Sequence, residues 1–341
     1  MYIANKNYET VLIIAIIVIP ISMLFFSHVP TPYGRFFKED IWGPTLDEKN
    51  AWAIMEATGL IMFLVFYFAY GCNKLSYTPL IFLGLWSFHY INRSLIYPYL
   101  IMKQKKKKFP LILVILGFFY LSMFSYLNSK NVSCNPKYTD DWIKSPTFII
   151  GTIIFFIGFI INVWSDIRIR FLKKKLDENK NKENNNEQNI ENNNENKNEN
   201  TYDDIENFDL KDLKFYEDGK FNFSKMFESD TYFKDICKKQ YYLPEGGLYD
   251  YISSPNYLGE IIEWSGWAIA TWSLPGLLFA LGAVGCIGVR SILTHKWYND
   301  CFDIGNSNVL FIYFFPRNHF YSIVDPKLLF VQNIYPMAKT R

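Results

Sequence analysis

Long apolar stretches alternate with short polar ones along most of the chain. Hydropathic runs recur at about 9–27, 51–71, 77–101, 109–127, 146–165, 258–274 and 276–293. Each approaches or exceeds the roughly 20 residues that a helix needs to cross hydrocarbon. The pattern predicts an all-α integral membrane protein with seven transmembrane helices. The sixth and seventh are separated only by "SLPG", a tight turn at the helix-breaking Pro275. The first run is longer than the core of a signal peptide, and no small-residue cleavage site follows "FFSHVP", so it reads as a retained span.

The alternation fails in one place. Residues 177–204, "DENKNKENNNEQNIENNNENKNENTYDD", are almost wholly Asn, Glu, Lys and Asp. Such a segment buries too little apolar surface to offset its chain entropy. The reading divides the chain into helices 1–5 over residues 1–175 and a disordered cytosolic insertion over 176–235. A C-terminal pair of helices follows over 236–302, then a tail over 303–341.

Charge adds an orientation. Seven spans put Arg35, Lys38, the lysines of "KQKKKK" at 103–108, Arg168, Arg170 and Lys173–Lys175 on the side opposite the N-terminus. The N-terminal side holds only Lys6, Lys74, Lys130, Lys137 and Lys144. The excess marks the cytosolic side, so the N-terminus is expected to be lumenal. The 128–145 loop would then be lumenal too, with an "NVS" glycosylation acceptor pattern at Asn131.

Composition excludes more than it assigns. The net charge of +2 and the absence of a nucleic-acid motif give no reason to expect a nucleic-acid partner. The four histidines make no zinc pattern, and no metal is expected. The five cysteines are odd in number and lack paired spacing, so no disulfide framework is expected either. There is neither a Walker loop nor a dinucleotide-type glycine turn, and Gly282, Gly285 and Gly288 read as close helix packing.

The informative residues are polar ones inside apolar runs, where lipid penalises them. Glu56 lies in the first turns of the second span. His89, Tyr90, Arg93 and Tyr97 lie in the later half of the third. Asn162, Asp166 and Arg170 end the fifth, Asn256, Glu260 and Glu263 begin the sixth, and Arg290 and His295 end the seventh. Their spacings of three and four put each set on one helix face. All fall at one depth, predicting a polar cavity open to the cytosol that accepts a charged ligand, with a lipid-soluble second ligand entering from the bilayer.

Several segments resemble a known family. "HYINRSLIYP" resembles the third-span motif of the steroid 5α-reductases, and "GGLYDYISSPNYLGEIIEWSGWAIATWSLPG" their C-terminal signature. "PYGRF", "AWAIME" and "INVWSD" fall in the family's order. The resemblance implies an endoplasmic-reticulum enzyme that uses NADPH to reduce the double bond conjugated to a 3-ketone in a steroid or related lipid. It implies Glu56 and Tyr90 as the catalytic pair on the 3-oxo group. It implies Tyr33, Arg93, Asn162, Asp166, Arg170, Lys173, Tyr241, Asn256, Glu260, His295 and Tyr298 as cofactor-binding residues. The chain departs from the family pattern at Met55, Tyr242, Pro255 and Thr294. In the 303–341 tail, "YPMAKTR" stands later than the pattern puts it. Polyprenol reductases and very-long-chain enoyl-CoA reductases are alternatives with the same fold and cofactor. An isoprenylcysteine-type methyltransferase using S-adenosylmethionine is an alternative of another class.

Overall fold

The computed structural model describes residues 6–28, 33–34, 42–102, 107–191, 216–217, 220–221 and 243–302. The chain divides into two compact units, residues 1–172 with 254–295, and residues 173–253 with 296–341. The first is helical. Its elements are α1 (Lys6–His28), α2 (Glu48–Tyr70), α3 (Tyr77–Ile91), α4 (Leu111–Cys134), α5 (Pro146–Glu191), α6 (Pro255–Thr271), α7 (Leu274–Ala283) and α8 (Val289–Phe302), of which α5 and α8 run on into the second unit. α3 continues as a π-helix over Asn92–Ile101, and α7 as one over Val284–Gly288. Pro98 lies in the first of these. Its ring has no N–H to give the ladder and crowds the preceding turn, and a widened helix accommodates both defects.

Five of the seven expected runs lie in helices long and apolar enough to cross a membrane: Lys6–Phe25, Glu48–Tyr70, Leu111–Cys134, Pro146–Leu172 and Leu274–His295. This is the architecture of an all-α membrane protein. The other two runs are helical but differ from expectation. α3 gives way to the π-helix at Asn92, and α6 is 17 residues long. Outward faces are apolar, as on α5, where Ile149, Ile153, Ile157 and Ile160 are exposed. In water such a stripe would be an aggregation surface, whereas lipid tails solvate it.

Contacts at the two ends fix alternating helix directions. At one end, β1 (Thr45–Asp47) pairs antiparallel with β2 (Lys108–Pro110), Thr45 opposite Pro110, tying the start of α2 to the start of α4. The Asp47 carboxylate caps α2 by accepting from Asn50 N. At the other end, Asn73 N donates to the Ser133 carbonyl at 2.8 Å, and the Tyr138 hydroxyl to that of Thr271 at 2.7 Å. Here Cys72 and Cys134 form a disulfide, against the expectation that the cysteines build none. They are 62 residues apart, so no local spacing announces the pair. α4 also reaches further than the apolar run, and Asn131 is therefore helical and buried, donating to the Tyr138 hydroxyl at 2.9 Å.

The core is aromatic. Trp86 stacks on Phe63 at 4.6 Å and meets Phe279 at 4.9 Å, while Trp264 meets Phe279 edge-on at 4.5 Å. α5 and α6 pack by a different device. Gly151 and Gly158 are seven residues apart on α5, as are Gly259 and Gly266 on α6. A Cβ at Gly158 would strike the Glu263 backbone, one at Gly259 the Asn162 backbone, one at Gly266 that of Phe155, and one at Gly151 that of Ala270. The helices thus touch backbone to backbone, as small residues permit in membranes. Close packing holds at Gly282 and Gly285 as well, whose hydrogens face the Tyr120 hydroxyl and the Met23 side chain.

α5 also extends to Glu191, into the segment from 176 expected to lack structure. Lys, Glu and Gln are good helix formers, and extending an existing helix costs far less than nucleating one. The rest of that segment, apart from a short β3–β4 pairing (Tyr216–Glu217 with Lys220–Phe221), lies outside the described residues, as does the 303–341 tail. In the second unit a 3₁₀ turn spans Gly247–Asp250. Gly246 and Gly247 carry φ of 90° and 64°, the left-handed region that glycine adopts without strain, and Asp250 accepts from Gly246 N.

Candidate active site

A cavity of about 740 Å³ lies within the first unit. α1, α4 and α7 supply apolar walls, including Ile14, Val18, Leu113, Leu116 and Phe279. Its polar lining comes from Glu56 on α2, His89, Tyr90 and Arg93 on α3 and its π continuation, and Glu260 on α6, with Tyr33 and Arg290 beside them. On α6 the lining residues Tyr257, Glu260 and Trp264 follow helical steps of three and four.

Tyr90 is seated by a missing side chain. Its ring lies where a Cβ on Gly59 of α2 would be, and Trp86 Nε1 and Ser125 Oγ both donate to the Gly59 carbonyl, at 2.9 and 3.1 Å. The Tyr90 main-chain oxygen accepts from Ser94, but among the described residues nothing accepts from its hydroxyl. Glu56 likewise has no hydrogen-bonding or ion-pair partner among them. Two groups able to hydrogen-bond thus line the cavity with their bonding capacity unused.

Behind them lies a buried ionic network. Arg93 Nη1 donates to Asp166 Oδ2 at 3.2 Å, and Arg93 Nη2 meets Glu260 Oε2 at 3.4 Å. Asn256 donates to Asp166 Oδ1 at 3.2 Å, and Asn162 to the Asn256 carbonyl at 2.9 Å and to Glu260 at 3.4 Å. The glycine contacts between α5 and α6 bring these amides and carboxylates within reach. Arg93 also lies over the rings of Tyr97 and Trp52, at 4.6 and 5.3 Å. Its Nε has no hydrogen-bond partner among the described residues. A second cation, Arg290, sits 3.5 Å above the Tyr33 ring and donates to the Tyr257 hydroxyl at 2.9 Å. Burial pushes the Tyr33 phenol above its ordinary range, with Arg290 opposing, so it remains neutral under that cation.

Of the residues expected at the site, Glu56, Tyr90, Tyr33, Arg93 and Glu260 line the cavity, and Asn162, Asp166 and Asn256 do not line it but join Arg93 and Glu260 in the network behind it. Arg170 and His295 are half-buried and do not line the cavity. Tyr241 and the Lys173 side chain lie outside the described residues. Tyr298 belongs to the second unit, where its ring meets Trp297 at 5.3 Å. Trp52 and Tyr257 escape sequence reasoning. In a chain that is 19% aromatic, one more ring carries no contrast.

A family model described as 3-oxo-5-alpha-steroid 4-dehydrogenase matches residues 107–183 and 223–306. The steroid 5-alpha-reductase DET2 of Solanum lycopersicum is 27% identical over 303 residues, 87% of this chain and 92% of that protein. The 3-oxo-5-alpha-steroid 4-dehydrogenase 1 of Bos taurus is 28% identical over 279 residues, 81% and 83% of the two chains. The chain is thus similar to the steroid 5α-reductase family over most of its length. That family is one of oxidoreductases. The family-model match includes Asn162, Asp166, Asn256 and Glu260, while Glu56, Tyr90 and Arg93 lie N-terminal to it.

Proposed function

We propose that this protein reduces the C4–C5 double bond of a 3-oxo-Δ4 steroid or related lipid with NADPH, in a seven-helix membrane bundle. The observation that carries the reading is that Glu56 and Tyr90, without hydrogen-bond partners among the described residues for their side-chain oxygens, face one cavity beside the apolar walls that α1, α4 and α7 supply. A flat, apolar ketone suits such walls, and its oxygen suits those two groups.

The donor set also suits a nicotinamide nucleotide. Asp166, Glu260, Asn162 and Asn256 offer acceptors and donors for sugar hydroxyls and a carboxamide. The unpartnered Arg93 Nε and the nearby Arg290 offer positive charge for phosphate. When bound, the cofactor supplies the hydride. The chain's task is at the other end of the enone. As C5 becomes saturated, negative charge grows on the C3 oxygen, and a preorganised donor there stabilises the transition state more than the ground state. Tyr90 donates its hydroxyl, and Glu56 donates too while it holds a proton. The Arg93–Asp166 and Arg93–Glu260 pairs are almost wholly buried, so they hold α3, α5 and α6 in register.

The lysine and arginine excess supports a lumenal N-terminus and a cytosolic cofactor side, in the endoplasmic reticulum. The test is NADPH oxidation by the purified protein with a 3-oxo-Δ4 steroid, run beside a polyprenol aldehyde or alcohol and a long-chain enoyl thioester. Oxidation with the steroid at the highest kcat/KM is expected. Binding of S-adenosylmethionine without binding of NADPH would replace this reading with a methyltransferase.

A further inference from the structure

One buried pair beside Tyr90 has no task in this mechanism. His89 Nδ1 and Glu263 Oε1 are 2.8 Å apart, with side chains 2% and 0% exposed. They join α3 to α6. The imidazole centroid is 5.0 Å from the Tyr90 ring and 4.4 Å from the Trp264 ring. His89 lines the cavity, whereas Glu263 does not. Because Glu263 occupies Nδ1, Nε2 is the ring nitrogen left for the cavity.

The proton count follows from the surroundings. Among the described residues Glu263 Oε2 has no hydrogen-bond partner, and the nearby Arg93 is shared between Asp166 and Glu260. No other cation among the described residues pairs with Glu263. A His–Glu pair with net negative charge would be uncompensated in a buried, largely aromatic setting, which is strongly disfavoured. A neutral pair holds two protons, one between Nδ1 and Oε1 and one on Nε2. That count is the same whichever partner keeps the shared proton.

We propose that the His89–Glu263 pair is the proton donor that completes the reduction at C4. The proposal rests on the reductase reading. After C5 has gained hydride, the substrate is an enolate with a C3–C4 double bond. The electron pair of that double bond takes the proton from Nε2, forming C4–H as Nε2–H breaks, and the C3 carbonyl is restored. The shared proton settles on Nδ1, leaving a neutral imidazole beside a carboxylate that has taken over the charge of the enolate, and water returns one proton once product departs. Tyr90 therefore holds the oxygen while His89 serves the carbon, and adjacent positions on α3 present both groups to one cavity.

The reverse step gives a test that needs no reduction. Full-length protein is incubated in D₂O with the saturated 3-oxo-5α-steroid and NADP⁺, and deuterium at C4 is followed by NMR. The wild type is expected to exchange one face of C4. His89→Gln and Glu263→Gln are expected to lose that exchange by a hundredfold or more, the range of general acid–base catalysis, with NADP⁺ affinity unchanged. Glu263→Gln keeps an N–H for Nδ1, so the α3–α6 contact survives where the relay does not. It decides the matter if His89→Gln does not fold. Wild-type exchange in Glu263→Gln, or an active wild type with no C4 exchange at all, overturns the proposal. A wild type that reduces no 3-oxo-Δ4 steroid overturns the reductase reading instead, before any substitution is made.

Discussion

Tyr90 is a phenol whose position depends on an absent methyl group. Its ring rests against Gly59, and among the described residues nothing accepts from its hydroxyl, on the cavity side. Tyr90→Phe removes one donor and little volume, so packing should survive. Single-turnover oxidation of bound NADPH with a 3-oxo-Δ4 steroid should slow by roughly a hundred- to thousandfold, the cost of removing one oxyanion donor, while NADPH affinity holds. Wild-type turnover in that variant would remove Tyr90 from the chemistry. Glu56→Gln should lose less, because an amide also donates; a loss as large as that of Tyr90→Phe would show that Glu56 must carry charge or pass a proton. Gly59→Ala leaves every polar group in place but drives a Cβ into the Tyr90 ring. Displacing a catalytic group by about 1 Å typically costs up to about a hundredfold. Turnover should therefore fall while NADPH binding is kept, and an unimpaired Gly59→Ala variant would show that Tyr90 needs no such seat.

At the scale of elements, the proposed cofactor side depends on how closely α5 approaches α6. Gly158 and Gly259 let the Asn162, Asn256, Asp166 and Glu260 side chains meet. Gly158→Val forces a side chain against the Glu263 backbone. Overpacking of this kind typically costs about 1–3 kcal/mol, and here it would also part the network. A lowered melting temperature and weakened NADPH binding should appear together. Asp166→Ala and Asn256→Ala should weaken NADPH binding without the backbone clash; unchanged affinity in both would remove the network from the cofactor site. The sequence makes half of this arrangement legible. Charges inside apolar runs stand out against their neighbours, so Glu56, Arg93, Asp166 and Glu260 could be assigned to one depth from spacing alone. The glycine seam could not, because a seven-residue repeat on one helix gains meaning only when its partner helix is known. Arg290 was visible as a polar residue at the right depth, but its seat above Tyr33 joins segments 257 residues apart in sequence, and no periodicity spans that distance.

At the scale of the whole molecule, the disulfide and the site occupy opposite ends. Glu56 is near the start of α2, and Cys72 follows its last residue, Tyr70; fourteen residues of helix separate Glu56 from Tyr70, roughly 20 Å at 1.5 Å per residue. Disulfides persist in oxidising compartments and are rare in the cytosol. The Cys72–Cys134 bond thus argues for a lumenal face at that end, independently of the lysine and arginine excess at the other. The two arguments share no residue, so a joint test is informative. In sealed microsomes, with Cys237, Cys286 and Cys301 replaced by Ser, a membrane-impermeant thiol reductant and a bulky maleimide should leave Cys72 and Cys134 unlabelled until detergent is added. Protease added outside should cut within residues 192–215 without detergent. Labelling of both cysteines in intact vesicles, with the 192–215 segment protected, would invert the orientation and move the cofactor side to the lumen. Labelling without any reductant would instead show that the two thiols are free, leaving the charge asymmetry alone to set the topology.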